Sequence, residues 1–534
     1  MLSTYGDEGV VTAAGRYSQL ASEREPYLTR ARECASLTLP ALIPPDGSNR
    51  NTTFPTPAQS VGARGVNNLA AKLMLALFPA NTPFFQLTIN DYQLERDASG
   101  SGGRENQEGI RTEVEKALSK VERAVQNHIE TEAFRPPVFE GTKHLLVAGN
   151  VLLHLPKVGA RIFPLPRFVL KRDPEGNLLE LITKESISPM ALPDDVRKLV
   201  AAKNEVRTRE STEDTVDLYT HVRRTGPNKL EYYQEAAGVR VPESDGSCPA
   251  DESPWIPLRM VRVDGESYGR SFVEEYLGDM NSLEVLSAAI VDGAAEAARV
   301  VHMVNPNGMT DAQDIQNADN GDVITGRKED VTSMQLEKYA DFRVCSDTVE
   351  RIERRLEMVF LLNSAVQRSG ERVTAEEIRY VASELESALG GIYSLLSQEF
   401  QLPVVSRLLD VMQRNGKLPK LPGKLIKPKI TTGTEALGRG QDLNKIDALV
   451  ARLSGLGPDV MSTYIDLGNL VKRIVTASGV SPEGLINDDE TIQGMQQQQK
   501  VSAMVDKLGP NAINAGAKAI QAQQQQAPPQ EVQQ

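Results

Sequence analysis

Residues 265–269 carry the sharpest catalytic motif of the chain, with the sequence Gly-Glu-Ser-Tyr-Gly. A G-x-S-x-G motif between a strand and a helix is typical of the nucleophile elbow, in which the serine attacks an acyl carbon. Such a hydrolase also needs an acidic residue and then a histidine downstream. The only later histidine, His302, is too near Ser267 for the usual order of strands. We therefore interpret the motif as a strand-to-helix turn and keep a serine hydrolase as a remote alternative.

No second pattern for catalysis or metal binding stands out in the sequence. Residues 433–440, GTEALGRG, have the glycine spacing of a P-loop, but Arg439 and Gly440 stand where the Lys and the Ser or Thr are required. The five histidines never pair at ligand spacing, and the three cysteines are far apart. The sequence therefore predicts a protein that is not an enzyme, with no cofactor and no metal, in a reducing compartment.

Length and charge set the class of protein. The 534 residues correspond to roughly three or four domains. The chain holds 59 Lys and Arg residues against 72 Asp and Glu, a net charge of −13. This charge disfavours a protein that wraps nucleic acid, because such binding depends on phosphate neutralisation, but it permits one that DNA slides past. The apolar runs are too short to span a bilayer and no signal peptide is visible, so we expect a soluble cytosolic protein.

The elements that must position any site alternate between helices and strands in the first half of the chain. Apolar spacing predicts helices over 16–38, 58–78 and 110–131, with a surface loop at 96–109. From 151 to 263 the pattern changes to strands, including a hairpin around the turn DPEGN (173–177). This half is predicted to be α+β.

The second half contains two long helices with a small lobe between them. A capping box at Ser271 and Glu274 opens a predicted helix that ends near 298 and carries six acids but no Lys or Arg. A second helix is predicted over 346–362, and a third begins at Thr374 and should bend or break at Gly390–Gly391. The lobe, 299–343, has turn signals and short strands such as DVITG.

The end of the chain is polar. A Pro- and Lys-rich stretch, 403–430, leads to a smaller helical region, 434–480, and the last 42 residues contain 13 Gln. A segment of this composition cannot bury a core, and we expect it to be disordered.

Several long stretches resemble portal proteins, the head-to-tail connectors of short-tailed, podovirus-type bacteriophages. They run collinearly over about the first 450 residues and include VGARGVNNLAAKLMLALFP (61–79), MVRVDGESYGRSFVEEYLGDMNSLE (260–284), LNSAVQRSGERVTAEEIRYVASELE (362–386) and TTGTEALGRGQDLNK (431–445). The resemblance implies a mainly helical α+β portal fold that closes into a ring, usually of twelve subunits, at one capsid vertex. Double-stranded DNA would be packaged and ejected through its channel. The protein would reside in the virion, and in the host cytoplasm during assembly.

The resemblance also implies a division of the chain into regions. These are a wing (1–265), a first stem helix (266–298), a clip (299–343), a second stem helix (344–362), a tunnel loop (363–377), a wing helix (378–400), a crown (401–500) and a flexible Gln-rich tail (501–534).

Three sets of residues would then form the sites. The tunnel loop would meet DNA through Gln367, Arg368, Ser369, Gly370, Glu371 and Arg372. The clip would dock the large terminase subunit, and later the tail adaptor, through Asp311, Asp314, Asp319, Asp322, Glu329 and Asp330. An acidic stem would repel DNA through Glu274, Glu275, Asp279 and Glu284. Further implied partners are the major capsid and scaffolding proteins and the internal core or ejection proteins, with no membrane.

Two other classes of protein remain open. A capsid scaffolding or internal core protein would share the absence of catalytic motifs, but it would be mostly helical and would lack the strand-rich block at 151–263. The serine hydrolase would depend on Ser267.

Overall fold

The computed structural model describes residues 12–49, 51–79, 84–88, 104–205, 215–298, 301–334, 339–362, 375–389, 391–418, 429–432, 449–453, 470, 471 and 474. The chain divides into two compact units, Met1–Leu437 and Gly438–Gln534. All the elements named below belong to the first unit. Within the described ranges, no helix is long and apolar enough to cross a membrane.

Four helices of the N-terminal region pack around one core. They are α1 (Ala13–Ser36), α2 (Val61–Leu77), α3 (Arg104–Thr131) and α4 (Arg135–Ala148). The apolar spacing predicted the first three, but the predicted loop at 96–109 is wrong from Arg104 onward, where α3 has already begun. Residues 104–108, RENQE, are polar, but Arg, Gln and Glu favour helices, so a polar composition was not sufficient evidence for a loop.

The strands between residues 85 and 259 are antiparallel, and most of them form two sheets. They are β1 (Phe85–Thr88), β2 (Asn150–His154), β3 (Arg161–Pro164), β4 (Phe168–Arg172), β5 (Leu178–Ile187), β6 (Val216–Gly226), β7 (Lys229–Ala236), β8 (Val239–Arg240), β9 (Gly246–Cys248) and β10 (Trp255–Arg259). One sheet has the order β10-β2-β3, and the other runs β4-β5-β6-β7-β8 with β9 also paired to β7. Helix α5 (Asp194–Glu205) follows β5 along the chain and covers a small separate apolar cluster.

The hairpin predicted at DPEGN joins β4 to β5. The Asp173 amide donates to the Asn177 carbonyl at 3.0 Å, and the Gly176 amide donates to the Asp173 carbonyl at 2.9 Å. Gly176 adopts a φ of +95°, a conformation that favours glycine. The turn residues in the sequence were therefore sufficient to predict this connection.

Two long helices and a small lobe follow the wing region. They are α6 (Leu277–Ala297), β11 (Val301–Val304), α7 (Ala312–Asn317), β12 (Val331–Met334) and α8 (Tyr339–Val359). Helices α6 and α8 approach closely at Gly293, where an added Cβ would lie 2.3 Å from the Phe342 ring. Strands β11 and β12 pair antiparallel. The predicted strand DVITG is wrong, because residues 322–326 form a loop, in which the Asp322 carboxylate accepts a hydrogen bond from the Asp319 amide.

The predicted helix boundaries differ from the observed ones at two points. Residues Val273–Tyr276 form a 3₁₀ turn, so the first long α-helix begins at Leu277 and not at the capping residue. The second long helix was predicted over 346–362, but it begins at Tyr339 and ends at Val359.

The last described elements return to the wing core. They are α9 (Ala375–Leu389), α10 (Ile392–Leu396), a π-helical turn (Ser397–Gln401), α11 (Leu402–Arg414) and β13 (Lys429–Thr432), which pairs with β1. Helix α9 ends and α10 begins around the Gly390–Gly391 pair, as predicted. Side chains of α11 join the main core, and the first unit extends to Leu437.

Candidate functional site

The Gly-Glu-Ser-Tyr-Gly motif forms a hydrogen-bonded turn between β10 and α6. The Ser267 hydroxyl accepts a hydrogen bond from the Arg172 amide at 3.2 Å, and the buried Tyr268 hydroxyl accepts one from the Leu170 amide at 2.9 Å. Only glycine fits at position 269, because an added Cβ would lie 2.8 Å from the Arg259 Cβ. Among the described hydrogen bonds, none joins Ser267 to a histidine. The motif therefore attaches the helix to the β4–β5 hairpin, and the geometry does not favour a hydrolase.

The start of the first long helix is anchored by charge to α1. The Glu274 carboxylate lies 3.0 Å from Arg30 Nε and 3.3 Å from Arg270 Nη1. Arg270 also pairs with Glu266, and these contacts raise its pKa. The Ser271 hydroxyl accepts a hydrogen bond from the Glu274 amide at 3.2 Å, as in the predicted capping box, but this bond precedes a 3₁₀ turn and not the α-helix itself. Glu274 therefore holds the base of the helix in place.

The other three acidic residues predicted for the stem also lie near the base. Asp279 Oδ1 lies 2.8 Å from Arg355 Nη2 of α8, and the Glu284 carboxylate accepts hydrogen bonds from the Ala58 and Gln59 amides. Burial, followed by the nearby Glu274 carboxylate, raises the pKa of Glu275. Asp279 therefore joins α6 to α8, and Glu284 joins α6 to the residues just before α2.

The exposed negative charge of α6 lies further along the helix. Asp292 and Glu296 are both exposed, and no ion pair to either is found in the described part of the chain. The sequence identified these two acids as part of the acidic helix, but it did not distinguish them from the paired acids near the base.

The six acids predicted for clip docking have two different environments. Asp330 is buried, and its Oδ2 accepts hydrogen bonds from the Met309 amide at 2.9 Å and the Thr310 hydroxyl at 3.2 Å. Asp311 caps α7, and the Asp322 carboxylate accepts a bond from the Asp319 amide at 2.8 Å. All of these acids except Asp330 have exposed side chains. Asp330 thus holds the lobe together, while the other five remain open to a partner.

The lobe and the two long helices expose many apolar side chains. Val323 is 98% exposed and Met309 71%, although valine and methionine are usually buried. Others on the same part of the chain are Val285, Val291, Met303, Ile324, Val344 and Met358. Thr310 and Asp330 are the residues described as buried within 301–333. The lobe therefore has almost no core of its own, which is typical of an element that is covered by other chains.

Sequence reasoning missed one set of residues, on α2. Lys72 is 6% exposed and contacts both the end of α8 and helix α9. In the sequence, one feature indicated a special role for this residue, namely a lysine in the middle of a strongly apolar helix. The predicted tunnel-loop residues 367–372 lie outside the described residues.

No group of three or more His, Cys, Asp or Glu that could hold a metal is found in the parts of the chain that the structure describes. The five histidines have separate surroundings. His221 bonds to Glu180 and Tyr233, His154 stacks on Trp255, and His144 is buried in α4.

The two long helices are anchored to the rest of the fold and end in a lobe with exposed apolar side chains. This arrangement is typical of a structural protein that contacts other chains. A family model described as bacteriophage head to tail connecting protein matches residues 11–486. The portal protein of Escherichia phage T7 is 44% identical over 512 residues, which cover 94% of this chain and 92% of that protein. The portal protein of Enterobacteria phage T3 is 43% identical, with 96% and 94% covered.

The portal protein of Enterobacteria phage SP6 is 33% identical over 90% of this chain and 91% of its own length. Among solved structures, a chain from the neck of a native gene transfer agent particle is 12% identical, covers 79% of this chain and 90% of its own, and has a TM-score of 0.34. The chain belongs to the family of bacteriophage head-to-tail connecting proteins.

Proposed function

We propose that copies of this chain close into a portal ring, of twelve subunits as is usual in the family, at one vertex of a phage capsid. Double-stranded DNA would be packaged and ejected through the channel of this ring. The observation that carries the proposal is the group of exposed apolar side chains on α6, α8 and the 301–334 lobe. Neighbouring copies would bury these side chains in head-to-tail contacts that repeat around the ring.

In this arrangement α6 and α8 lie in the stem, the 301–334 lobe lies in the clip (299–343), and residues up to 265 form the wing. The crown would be 401–500, and the Gln-rich tail would extend from 501. Asp292 and Glu296 would give the channel wall a negative charge that keeps the duplex from binding to it.

The tunnel loop would supply a local grip on the DNA. Within residues 363–373, Arg368 and Arg372 stand either side of Ser369 and Gly370, and Glu371 is the one acid. Arginine forms charge-assisted bonds to phosphate, and a ring of such loops would make a thin positive collar. The collar would hold packaged DNA against slippage while it yields to a motor.

The partners follow from position and charge. The clip, through its exposed acids Asp314, Asp319 and Glu329, would dock the large terminase subunit and later the tail adaptor. The wing and crown would meet the major capsid, scaffolding and internal core or ejection proteins. The terminase would supply the ATP hydrolysis, and this chain none.

The experiment that tests the ring uses the purified full-length chain in mass photometry and negative-stain imaging. We expect closed rings with a central hole. The double variant V285D/V291D should fail to assemble, because each new carboxylate would be buried in an interface. The matched control V158D changes an equally exposed valine of the wing and should assemble normally. A stable monomer for the wild type, or rings for V285D/V291D, would contradict the proposal.

A further inference from the structure

Helix α8 ends in a left-handed cap formed by a residue other than glycine. The Leu361 amide donates to the Met358 carbonyl at 3.2 Å, and the Leu362 amide donates to the Glu357 carbonyl at 2.8 Å. This pair of bonds defines a Schellman motif, in which the left-handed position is usually glycine. Here Leu361 occupies that position with a φ of +53°. Such strain persists only where the surrounding structure holds the residue in place.

The residues that hold Leu361 lie on one face of α2. Asn68 Nδ2 donates to the Phe360 carbonyl at 2.9 Å and to the Leu361 carbonyl at 3.0 Å. Lys72 Nζ donates to the same Leu361 carbonyl at 3.0 Å. One turn before Asn68, Gly65 provides the space for the Phe360 ring, since an added Cβ would lie 2.5 Å from Phe360 Cγ. The end of α8 therefore rests on a strip of α2.

The same lysine also reaches α9, the next described helix along the chain. Lys72 Nζ lies 3.2 Å from Glu384 Oε2 of α9. The lysine side chain is 6% exposed and the glutamate side chain 19%. Residues 363–374 connect α8 to α9, and the ammonium group of Lys72 contacts an element on each side of them.

We propose that Lys72, supported by Asn68, is the positioning residue that sets where both ends of the 363–374 segment are held. This inference rests on the proposed function, in which that segment carries the arginines that grip DNA. The grip would then depend on a buried ion pair that lies outside the segment. Lys72 itself would contact no DNA.

The test compares K72M with a matched control on the same helix. Arg64 of α2 also faces α8, 3.9 Å from Glu357, but its side chain is 58% exposed. R64M therefore removes a charge between the same two helices and leaves the contacts of Lys72 and Asn68 in place. The readout is trypsin cleavage after Arg368 or Arg372 in assembled full-length rings, relative to cleavage after the exposed Lys157 between β2 and β3, with sites assigned by mass spectrometry.

We expect K72M to raise this cleavage ratio by about tenfold, because the ends of the segment lose a common anchor, and R64M to change it by less than about twofold. A purely structural lysine would lower the thermal stability of the ring without changing the ratio. An unchanged ratio in K72M rings would overturn the proposal. If K72M forms no rings, E384Q is measured in its place, and an unchanged ratio there overturns the proposal equally.

The amount of DNA retained in packaged heads distinguishes a failure of this inference from a failure of the proposed function. Heads carrying K72M should retain less DNA than heads carrying R64M. If R368A/R372A heads retain DNA normally, the grip assigned to the loop is wrong, while the cleavage ratio still decides whether Lys72 anchors the segment.

Discussion

Glu284 of the first long helix accepts a hydrogen bond from the backbone amide of Ala58 at 2.8 Å. The adjacent amide of Gln59 donates to the other carboxylate oxygen at 3.2 Å. Both amides lie just before α2, the helix that also supports the end of α8. Glu284 thus fixes the position of α6 relative to the start of α2.

Replacement of Glu284 should therefore weaken the fold more than the channel. In E284Q one acceptor oxygen and the charge are lost, and we expect the free energy of unfolding to fall by about 1–2 kcal/mol. Chemical denaturation at a fixed protein concentration measures this change. D292N is the control and should be near neutral, because Asp292 is exposed. Equal stability of E284Q and D292N would mean that the Glu284 contacts contribute nothing.

Neutralisation of the exposed acids of the stem should affect DNA and leave assembly intact. With D292N/E296Q the proposed channel wall loses two charges per subunit, and DNA should adhere to it more strongly. We expect rings in normal number but less DNA packaged per head in a complementation assay. D195N, which removes an exposed charge from α5, is the control. Normal packaging by D292N/E296Q would show that these acids do not face the DNA.

Charge reversal in the clip should weaken motor docking. Asp319 and Glu329 have exposed side chains, so D319K/E329K changes the surface charge and leaves the buried Asp330 contacts in place. We expect weaker capture of the large terminase subunit and of the tail adaptor in pull-downs at about 50 mM salt, where screening is weak. Ring assembly should be unchanged. Unaltered capture at that salt concentration would remove electrostatics from the docking proposal.

The stability of the wing should depend on pH through His144. Burial lowers the pKa of His144 to about 4, and its Nδ1 atom has no hydrogen-bond partner among the residues that the structure describes. Between pH 6.5 and 4 the unfolded chain binds a proton that the folded chain excludes, so stability falls as the pH falls through this range.

The variant H144L should remove this loss of stability, which reaches about 3 kcal/mol near pH 4. The measurement is the difference in unfolding free energy between wild type and H144L across pH 7 to 4. It should shift in favour of H144L as the pH falls. A constant difference would mean that His144 is protonated in the folded state or is not buried.

Local features of the fold could be predicted from the sequence because their causes act within a few residues. Apolar spacing located α1, α2 and both long helices, and the residues DPEGN predicted the β4–β5 turn. The break after Leu389 followed from two glycines. The residues at which helices begin were harder to predict, because polar stretches such as 104–108 are compatible with either a loop or a helix. The family resemblance, which rests on long collinear stretches, is confirmed.

The roles of individual charged residues could not be predicted, because their partners are distant in the sequence. Glu284 contacts residues more than two hundred positions away, and Arg30 pairs with Glu274. From composition alone the acids of the stem were equivalent. Packing against α1, α2 and α8 gave Glu274, Asp279 and Glu284 structural contacts and left Asp292 and Glu296 exposed.

By itself, the sequence determined the order of helices and strands and the turn residues, since these depend on short-range preferences. It also determined the family, since that depends on long collinear stretches of similar sequence. The tertiary structure alone decided which acids are paired, that Asp330 is buried, and that Lys72 joins the end of α8 to α9. The physical reason is that an ion pair or a buried carboxylate depends on distances of about 3 Å between groups that only folding brings together.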